Sequence, residues 1–266
     1  MILKPAKIHL LDPGPLDPAS NMALDEVLLE SEGWWLRLTR WDRPCVTLGR
    51  FQSWPQNSSY ESFPQIHPFS SSQFVSATQP SPTSSPGEIA ESLPAVRRVT
   101  GGGSILHGED LTIAIAGPCP SPHFPDRSPG KVATQISKVL GSLLSPGIHT
   151  RGGDDREKEM VDVVDCFQRR SPSDLVLEVD GETVKAGGLA LAFRPGRVLI
   201  EGSLHRGPAS RPVEGDRSWM ELLMREWLGA EGETAEKWQT DLTDEQAGRV
   251  SEAVENRFGT VEWNRR

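Results

Sequence analysis

Three consecutive glycines near the middle of the chain place the strongest constraint on its fold. Gly101, Gly102 and Gly103 carry no Cβ atoms, so the backbone there can turn sharply and approach a ligand closely. Ile113 and Ile115 follow with the period-two spacing of a strand. The sequence therefore predicts a glycine-rich loop that returns into a strand at the floor of a pocket.

Two arginines, Arg97 and Arg98, stand directly before this loop. Their fixed charge and forked donors suit a phosphate or a carboxylate. The loop has neither the lysine and serine spacing of a P-loop nor the G-x-G-x-x-G pattern of dinucleotide sites. On these residues alone, a glycine hairpin flanked by solvated arginines is an equally good interpretation.

Composition excludes several classes of function. The chain has 266 residues, enough for one large core or two modest ones. A net charge of -9 argues against nucleic-acid binding, because neutralising phosphates requires clustered positive charge. Only 3 cysteines are present, which favours a reducing compartment over a disulfide scaffold. The sequence contains no apolar run of ~20 residues and no signal-peptide pattern, so we expect a cytoplasmic protein without a membrane partner.

Apolar residues at helical spacing predict four helices, each with a recognisable start. The start signals are Ser20 or Asn21 before 22–30, Ser128-Pro129 before 132–143, and capping boxes at Ser218 and Thr243. Short alternating segments predict strands, and Asp180-Gly181 predicts a tight hairpin between two of them. The strand segments are 36–39, 46–52, 93–96, 175–179, 183–190 and 198–204.

From about Ser53 to Ser92 serine and proline dominate, and neither strand nor helix periodicity persists. Such a segment cannot bury enough apolar surface to offset the entropy of ordering it. We therefore expect residues 53–92 to be a mostly disordered insertion in a single domain that covers residues 1–266. An inert insertion is favoured over a regulatory or partner-binding role.

The segment Arg97–His107 resembles R-R-x-[ST]-G-G-[GR]-x-x-x-H, a signature of the lipoate-protein ligase and octanoyltransferase family. Thr100 occupies the [ST] position of that signature. The segment His107–Thr112 is most similar to the H-x-x-E-L-T-Y-S form found in cysteine-dependent octanoyltransferases, with Ile113-Ala114 in place of Tyr-Ser. Gly49-Arg50-Phe51-Gln52 resembles the family's Gly-Arg-x-Gln, where the backbone meets the acyl group.

Two further motifs carry the same resemblance. Lys185, followed by two glycines and an alanine, is similar to K-x-x-G-x-A, which in the family places a lysine at the acyl carbonyl. Cys166-Phe167 with Ser171–Leu175 resembles C-F-x-x-P-S-x-[YF]-[DE]-L, with one extra residue before Pro-Ser. ATP-dependent ligases have no cysteine at that position. Glu201 departs from the family, which has histidine before Gly-Ser.

The resemblance implies an α+β fold, a mixed β-sheet flanked by helices, of the biotinyl/lipoyl-transferase (class II synthetase-like) type, without a C-terminal accessory domain. Cys166 would carry an octanoyl or lipoyl group as a thioester, and Lys185 would stabilise the oxyanion. The donor would be an acyl-carrier protein or a lipoyl donor. The acceptor would be a lysine of a 2-oxoacid dehydrogenase lipoyl domain or of the glycine-cleavage H protein. No metal or bound cofactor is implied. The implied substrate contacts are Arg50, Arg97, Arg98, Thr100, Gly101, Gly102, Gly103, His107, Gly187, Gly188, Ala190 and Gly202.

Two alternatives stay open at this point. An ATP-dependent lipoate-protein ligase would use the two arginines and the glycines to hold an adenylate phosphate, with ATP and magnesium as co-substrates. A non-catalytic lipoylation-related binding protein is the other alternative, which Glu201 and the 53–92 insertion keep open. Acyl transfer measured without ATP separates the three.

Overall fold

Strands make up much of the computed structural model, which describes residues 7–53, 93–108, 110–144, 147–153, 170–179, 181–204, 216–228 and 237–266. The strands are β1 (Ile8–Leu11), β2 (Pro15–Leu16), β3 (Trp34–Trp41), β4 (Cys45–Leu48), β5 (Ala95–Arg97), β6 (Ile105–His107), β7 (Leu111–Pro118), β8 (His149–Thr150), β9 (Leu175–Val179), β10 (Glu182–Arg194) and β11 (Arg197–Leu204). The helices are α1 (Pro18–Glu30), α2 (Pro129–Leu144), α3 (Asp216–Leu228), α4 (Asp244–Ala253), continued by a π-helical turn (Val254–Phe258), and α5 (Val261–Asn264). Among the helices in these ranges, none has the length and apolarity needed to cross a membrane.

Two sheets of mixed direction form the scaffold. The larger sheet has the strand order β1-β3-β7-β11-β10-β9-β8, and β2 also pairs with β3. Strands β1 and β2 run parallel to β3, whereas the other neighbours are antiparallel. In the smaller sheet, β4 lies between β5, to which it is parallel, and β6, to which it is antiparallel. The prediction of a mixed sheet flanked by helices is confirmed.

The larger sheet is covered by helices on both faces. Successive side chains of β7 point to opposite faces, as in any strand. Ile113 and Ile115 pack into a core with α2 and α3, and Ala114 and Ala116 pack into a second core with α1 and α4. A polar residue on either face of a central strand is therefore buried and needs a partner.

Several local predictions are confirmed. Pro129 begins α2, and Thr243 forms the predicted capping box at the start of α4 with the side chain and backbone of Gln246. Strands β9 and β10 form an antiparallel hairpin whose Gly181 has a φ of 83°, the left-handed conformation that glycine adopts easily. The predicted insertion at 53–92 lies outside the described residues, apart from Ser53.

Two predicted helix starts are wrong. Asp17 caps α1 in place of Ser20 or Asn21, because its carboxylate accepts two backbone N–H groups of the first turn at 3.0 and 3.1 Å. The proline that follows Asp17 suits a first helical position, where an N–H would have no partner within the helix. Helix α3 begins at Asp216, so Ser218 lies inside the helix and does not cap it.

Gly248→Ala should stabilise the protein by about 0.5–1 kcal/mol, because alanine in a helix loses less backbone entropy on folding than glycine. Gly248 lies in α4, and an added Cβ would meet no atom within 4 Å. Gly117→Ala is the contrasting control, since its Cβ would lie 2.1 Å from the ring of Trp34. Urea unfolding measures both changes, and a lower unfolding free energy for Gly248→Ala would contradict the expectation.

Candidate functional site

The glycine-rich loop joins β5 to β6 and packs directly on the segment that follows β4. Gly102 has a φ of 94°, which favours glycine. An added Cβ on Gly49 would lie 1.9 Å from the carbonyl oxygen of Gly102, so only glycine permits this approach. The N–H of Arg50 donates to the carbonyl of Thr100 at 2.8 Å. The predicted return of the loop into strands is confirmed by β6 and β7.

Arg98 holds this loop from within the protein. Its side chain is buried, and one terminal nitrogen donates to the carbonyl oxygens of Gly101 and Gly103, both at 2.9 Å. The other terminal nitrogen donates to the hydroxyl and the carbonyl of Thr47 in β4. A forked, always charged group can join both partners at once, whereas a lysine could not match this geometry.

Arg97 points elsewhere and joins two distant parts of the chain. Its side chain is fully buried, and its three nitrogens donate to backbone carbonyls. The acceptors are Gly49, Arg50 and Gln52 after β4, and Trp263, Asn264 and Arg266 at the C-terminal end of the described chain. Arg97 therefore has a scaffolding role in this structure, and its contact with substrate stays a prediction.

His107 lies in a buried chain of hydrogen bonds that ends on Arg98. Its Nε2 is 2.8 Å from the Thr47 hydroxyl, and its Nδ1 is 2.8 Å from the Asp110 carboxylate. Arg98 donates to that same hydroxyl, so Asp110, His107, Thr47 and Arg98 form one continuous series of contacts. His107 thus acts on the loop through Thr47 and Arg98.

Asp110 fixes the other end of this chain. Burial by itself would raise the pKa of its carboxyl, but the neighbouring His107 and hydrogen bonds from His107, Ser203 and Thr112 outweigh it and hold the pKa well below the usual range. The Ser203 hydroxyl donates at 2.6 Å and the Thr112 hydroxyl at 2.8 Å. Asp110 is therefore a permanent negative charge that orients the imidazole.

A second set of buried charges lies between α1 and the larger sheet. Arg37 in β3 is fully buried, forms an ion pair with Asp25, and donates to the side chain and the carbonyl of Asn21. Burial raises the pKa of Asp25, although the Arg37 guanidinium opposes this. Sequence reasoning missed this pair. The available signal was an arginine between Leu36 and Leu38 in a strand covered on both faces.

Glu201 in β11 connects the two sets of charges. The Thr100 hydroxyl donates to its Oε2, which lies 3.5 Å from Nε of Arg98, while Oε1 has no hydrogen-bond partner. Burial and the neighbouring Asp25 raise the pKa of Glu201 to about 7, against the opposing effects of Arg98, Thr100 and Arg37. Glu201 therefore exchanges a proton near neutral pH directly beside the glycine-rich loop.

Lys185 lies on β10, where a β-bulge between Lys185 and Gly187 re-aims the side chain. Its ammonium is 2.8 Å from Oδ1 of Asp174, and the two side chains are 8% and 4% exposed. An added Cβ on Gly188 would lie 3.2 Å from Cε and 3.4 Å from Nζ of Lys185. The end of the lysine therefore lies over bare backbone, close to Asp174, which belongs to the Ser171–Leu175 motif but was not among the predicted site residues.

The predicted site residues fall into two groups in the described structure. The loop group is Arg50, Arg97, Arg98, Thr100, Gly101, Gly102, Gly103 and His107. The strand group on β10 and β11 is Lys185, Gly187, Gly188, Ala190 and Gly202. Contacts to other residues of β10 and β11 connect the loop to these strands: Thr100 and Arg98 both contact Glu201, and the N–H of Gly101 donates to the Leu191 carbonyl at 3.4 Å. Cys166 lies outside the described residues.

Metal and thiol chemistry have few candidates in the described ranges. There, no group of three or more histidine, cysteine, aspartate and glutamate side chains could hold a metal ion. Cys45 and Cys119 are buried. Burial raises the pKa of both thiols, and for Cys45 the carboxylates of Asp110 and Asp42 add to the effect. Neither is therefore suited to act as a nucleophile.

The chain is similar in sequence to curated octanoyltransferases, although no protein-family model matches it. Octanoyltransferase LipM of Brevibacillus brevis is 25% identical over an alignment 301 positions long, which spans 94% of this chain and 96% of that protein. LipM of an Exiguobacterium species is 31% identical, and LipM of Lysinibacillus sphaericus is 26% identical. Each of these two alignments covers 74% of this chain and 64% of the relative's length.

Solved structures share the fold over nearly the whole chain. A putative lipoate protein ligase from T. acidophilum with bound lipoic acid superposes with a TM-score of 0.64 at 15% identity, covering 99% of this chain and 100% of that one. Lipoate-protein ligase A bound with ATP gives a TM-score of 0.65 at 16% identity, covering 98% and 99%. The fold is thus that of the biotin and lipoate transferases. The sequence relatives and the shared fold both support the lipoate-protein ligase and octanoyltransferase family for this chain.

Glu201→Gln should raise stability at pH 8 and leave it nearly unchanged at pH 5. Between the ordinary pKa of 4.5 and the folded value of about 7, the folded parent keeps a proton that the unfolded chain releases. The parent's stability therefore falls as pH rises through this window, whereas glutamine has no proton to lose. Urea unfolding at both pH values should show a gain on the order of 2–3 kcal/mol at pH 8 only. An equal change in the free energy of unfolding at pH 5 and at pH 8 would contradict the attribution of this change to the raised pKa of Glu201.

Proposed function

We propose that this chain is an acyltransferase that moves an octanoyl or lipoyl group onto the lysine of a lipoyl domain. The observation that carries the proposal is the buried Lys185 ammonium, presented over the backbone of Gly188 on a bulged strand. A preorganised cation in a site shielded from water stabilises the negative charge that develops on an acyl carbonyl oxygen. The similarity to proteins named octanoyltransferase LipM supports the eight-carbon acyl group.

The proposed reaction has two acyl transfers. The Cys166 thiolate attacks the carbonyl carbon of a carrier-bound thioester, and the carrier leaves as a thiolate. The acceptor lysine, as a free amine, then attacks the Cys166 thioester. An amide forms, the amine loses a proton, and Cys166 is released. In both steps Lys185 would stabilise the tetrahedral oxyanion. Cys166 stands five positions before Ser171 in the sequence, and Ser171 is hydrogen-bonded to Asp174, the partner of Lys185.

The loop group would hold the acyl carbonyl and its neighbours from the opposite side. Arg98 fixes the carbonyls of Gly101 and Gly103, which sets the direction of the loop's backbone amides. An octanoyl chain buried at ~0.8 kcal/mol per methylene gains roughly 5 kcal/mol before ordering costs, enough to select chain length. The proposed donor is an acyl-carrier protein, and the proposed acceptors are lipoyl domains of 2-oxoacid dehydrogenases or the glycine-cleavage H protein. The reaction as proposed requires no bound cofactor or metal.

An ATP-dependent lipoate ligase is the second candidate, because the solved structures that share the fold of this chain include a lipoate-protein ligase A bound with ATP. In that function the two arginines would have to reach an adenylate phosphate. The described contacts disfavour this, since the nitrogens of Arg97 already bind backbone carbonyls. A non-catalytic binder is the remaining alternative, which the same transfer assays test.

Cys166 should form an isolable octanoyl thioester when the protein meets octanoyl-carrier donor without ATP and without acceptor. Exchange between two thioesters is nearly isoenergetic, so the acyl-enzyme should accumulate and the kinetics should be ping-pong. Intact mass measurement before and after hydroxylamine detects the bond. Cys166→Ala should gain no mass, while Cys45→Ala and Cys119→Ala should behave like the parent.

Other outcomes separate the alternatives. A parent that gains no octanoyl mass, yet attaches lipoate once ATP is supplied, would establish the ligase reaction and leave Cys166 without a catalytic role. A parent that binds the donor without any transfer, with or without ATP, would establish the non-catalytic function.

Lys185→Ala should lower the rate of transfer by ~10²–10³-fold, the usual cost of losing one oxyanion donor. The variant leaves the Asp174 carboxylate buried without its lysine, so the thermal midpoint is measured alongside to verify folding. Lys131→Ala is the control, since Lys131 is 76% exposed and pairs with Asp126 at a similar 2.9 Å. A Lys185→Ala rate within tenfold of the parent's would exclude Lys185 from the mechanism.

A further inference from the structure

Asp174 is the point where three parts of the chain meet. Its Oδ1 binds the Lys185 ammonium of β10 at 2.8 Å, and its Oδ2 accepts the N–H of Ser171 at 2.7 Å. Its carbonyl oxygen accepts the N–H of Arg151, which follows β8, at 2.8 Å. We propose that Asp174 is a positioning residue, which holds the Lys185 ammonium in the place where it acts on the acyl carbonyl. This inference rests on the proposed acyl transfer.

The geometry around Lys185 gives its ammonium a buried, oppositely charged partner in Asp174. A lysine has a flexible four-carbon stem and a compact charge, so a single fixed location requires a directional anchor. The bulge at Lys185 and Gly187 sets where the stem leaves the strand, and the bare backbone of Gly188 admits the ammonium. Asp174 then fixes the end of the side chain. Without that carboxylate, a buried ammonium would lose a compensating charge and would move to find another.

The anchor is itself rigid. The turn Ser171–Asp174 closes through a hydrogen bond from the N–H of Asp174 to the carbonyl of Ser171, at 3.0 Å. The Ser137 hydroxyl of α2 donates to the carbonyl of Ser173 at 2.5 Å, and the N–H of Gly152 donates to the carbonyl of Pro172 at 3.0 Å. A carboxylate held by its own backbone and by a helix can define a position within a fraction of an ångström, as a catalytic cation requires.

Arg151 makes Asp174 suitable for this task during the reaction. Its Nε lies 4.0 Å from Oδ2 of Asp174 and has no hydrogen-bond partner among the described residues. When the Lys185 ammonium interacts with the developing oxyanion, Arg151 still compensates the negative charge of the buried Asp174 carboxylate. Among the residues that the structure describes, this cluster has two cations, Lys185 and Arg151, around the Asp174 carboxylate, and such an excess of positive charge favours a transition state that carries a negative charge.

The kinetic test compares Asp174→Asn, which removes the charge at constant shape, with Asp174→Glu, which keeps the charge. The assay follows octanoyl transfer from an octanoyl-carrier donor to a lipoyl domain. Asp174→Asn should lower kcat by ~10²-fold while KM for both substrates stays within about threefold, since the loss falls on the transition state. The kcat of Asp174→Glu should be at least about tenfold higher than that of Asp174→Asn. Asp126→Asn, which breaks the exposed pair with Lys131, should match the parent.

A second measurement does not depend on activity. A lysine-selective acylating reagent labels amines, and peptide mass spectrometry compares Lys185 with Lys131 in the same molecule. A paired, buried ammonium reacts slowly, so the parent should label Lys131, which is 76% exposed, far more than Lys185, which is 8% exposed. Asp174→Asn should increase the relative labelling of Lys185 by about fivefold or more, and Asp126→Asn should not change it.

These arms separate the possible failures. A parent that transfers no octanoyl group overturns the proposed function, whereas increased labelling of Lys185 in a folded Asp174→Asn variant still supports the positioning contact. Unchanged labelling together with a kcat near that of the parent overturns the role of Asp174. If Asp174→Asn does not fold, Asp174→Ser takes its place in both arms: a lowered kcat at unchanged KM with increased labelling of Lys185 supports positioning, and a kcat and labelling near those of the parent overturn it.

Discussion

The Arg98 guanidinium, buried between β4 and the glycine-rich loop, is the interaction on which the candidate site depends. A buried charge is tolerated only when its donors are satisfied and its charge is compensated. Here the loop carbonyls and Thr47 supply the acceptors, and Glu201 supplies part of the charge. The requirement acts in both directions, because the loop can satisfy Arg98 only in the conformation that puts Gly102 at positive φ and against Gly49. The conformation of the glycine-rich loop and the hydrogen bonding of the buried Arg98 guanidinium therefore depend on each other.

Glu201 extends this constraint into the body of the sheet. Its neighbours across the sheet are Ala190 and Ala114, so its carboxyl lies among small residues and reaches both Thr100 and the electrostatic field of Asp25. The family pattern has histidine at this position, a side chain of different shape and charge. A carboxyl with a pKa of about 7 provides either a charge or a proton at neutral pH, so a titratable group ties the loop of this chain to the sheet.

Local signals in the sequence predicted the elements well, and long-range contacts account for what they missed. The hairpin at Gly181, the proline start of α2 and the Thr243 capping box each depend on a few adjacent residues, and each is present. The pairing of Arg37 with Asp25 depends on how α1 packs against the sheet, which no local pattern encodes. Lys185 and Asp174 lie on the two arms of the predicted hairpin, and its register and bulge bring them together. Motif similarity indicated that Lys185 mattered, but only the fold shows what holds it.

The two adjacent arginines show how the fold divides identical chemistry between two tasks. Neighbouring residues at the end of a strand point to opposite sides, so Arg97 and Arg98 cannot serve the same partner. Arg98 turns to the loop. Arg97 turns to the segment around Trp263, where its carbonyl also accepts the indole N–H at 2.8 Å. The indole ring lies between the guanidinium groups of Arg257 and Arg266, at 3.6 and 3.5 Å from its centroid. The arginine pair therefore connects the glycine-rich loop on one side to α5 on the other. Because Arg97 and Arg98 are consecutive, a change in the contacts of either side chain would shift the backbone that leads into the three glycines.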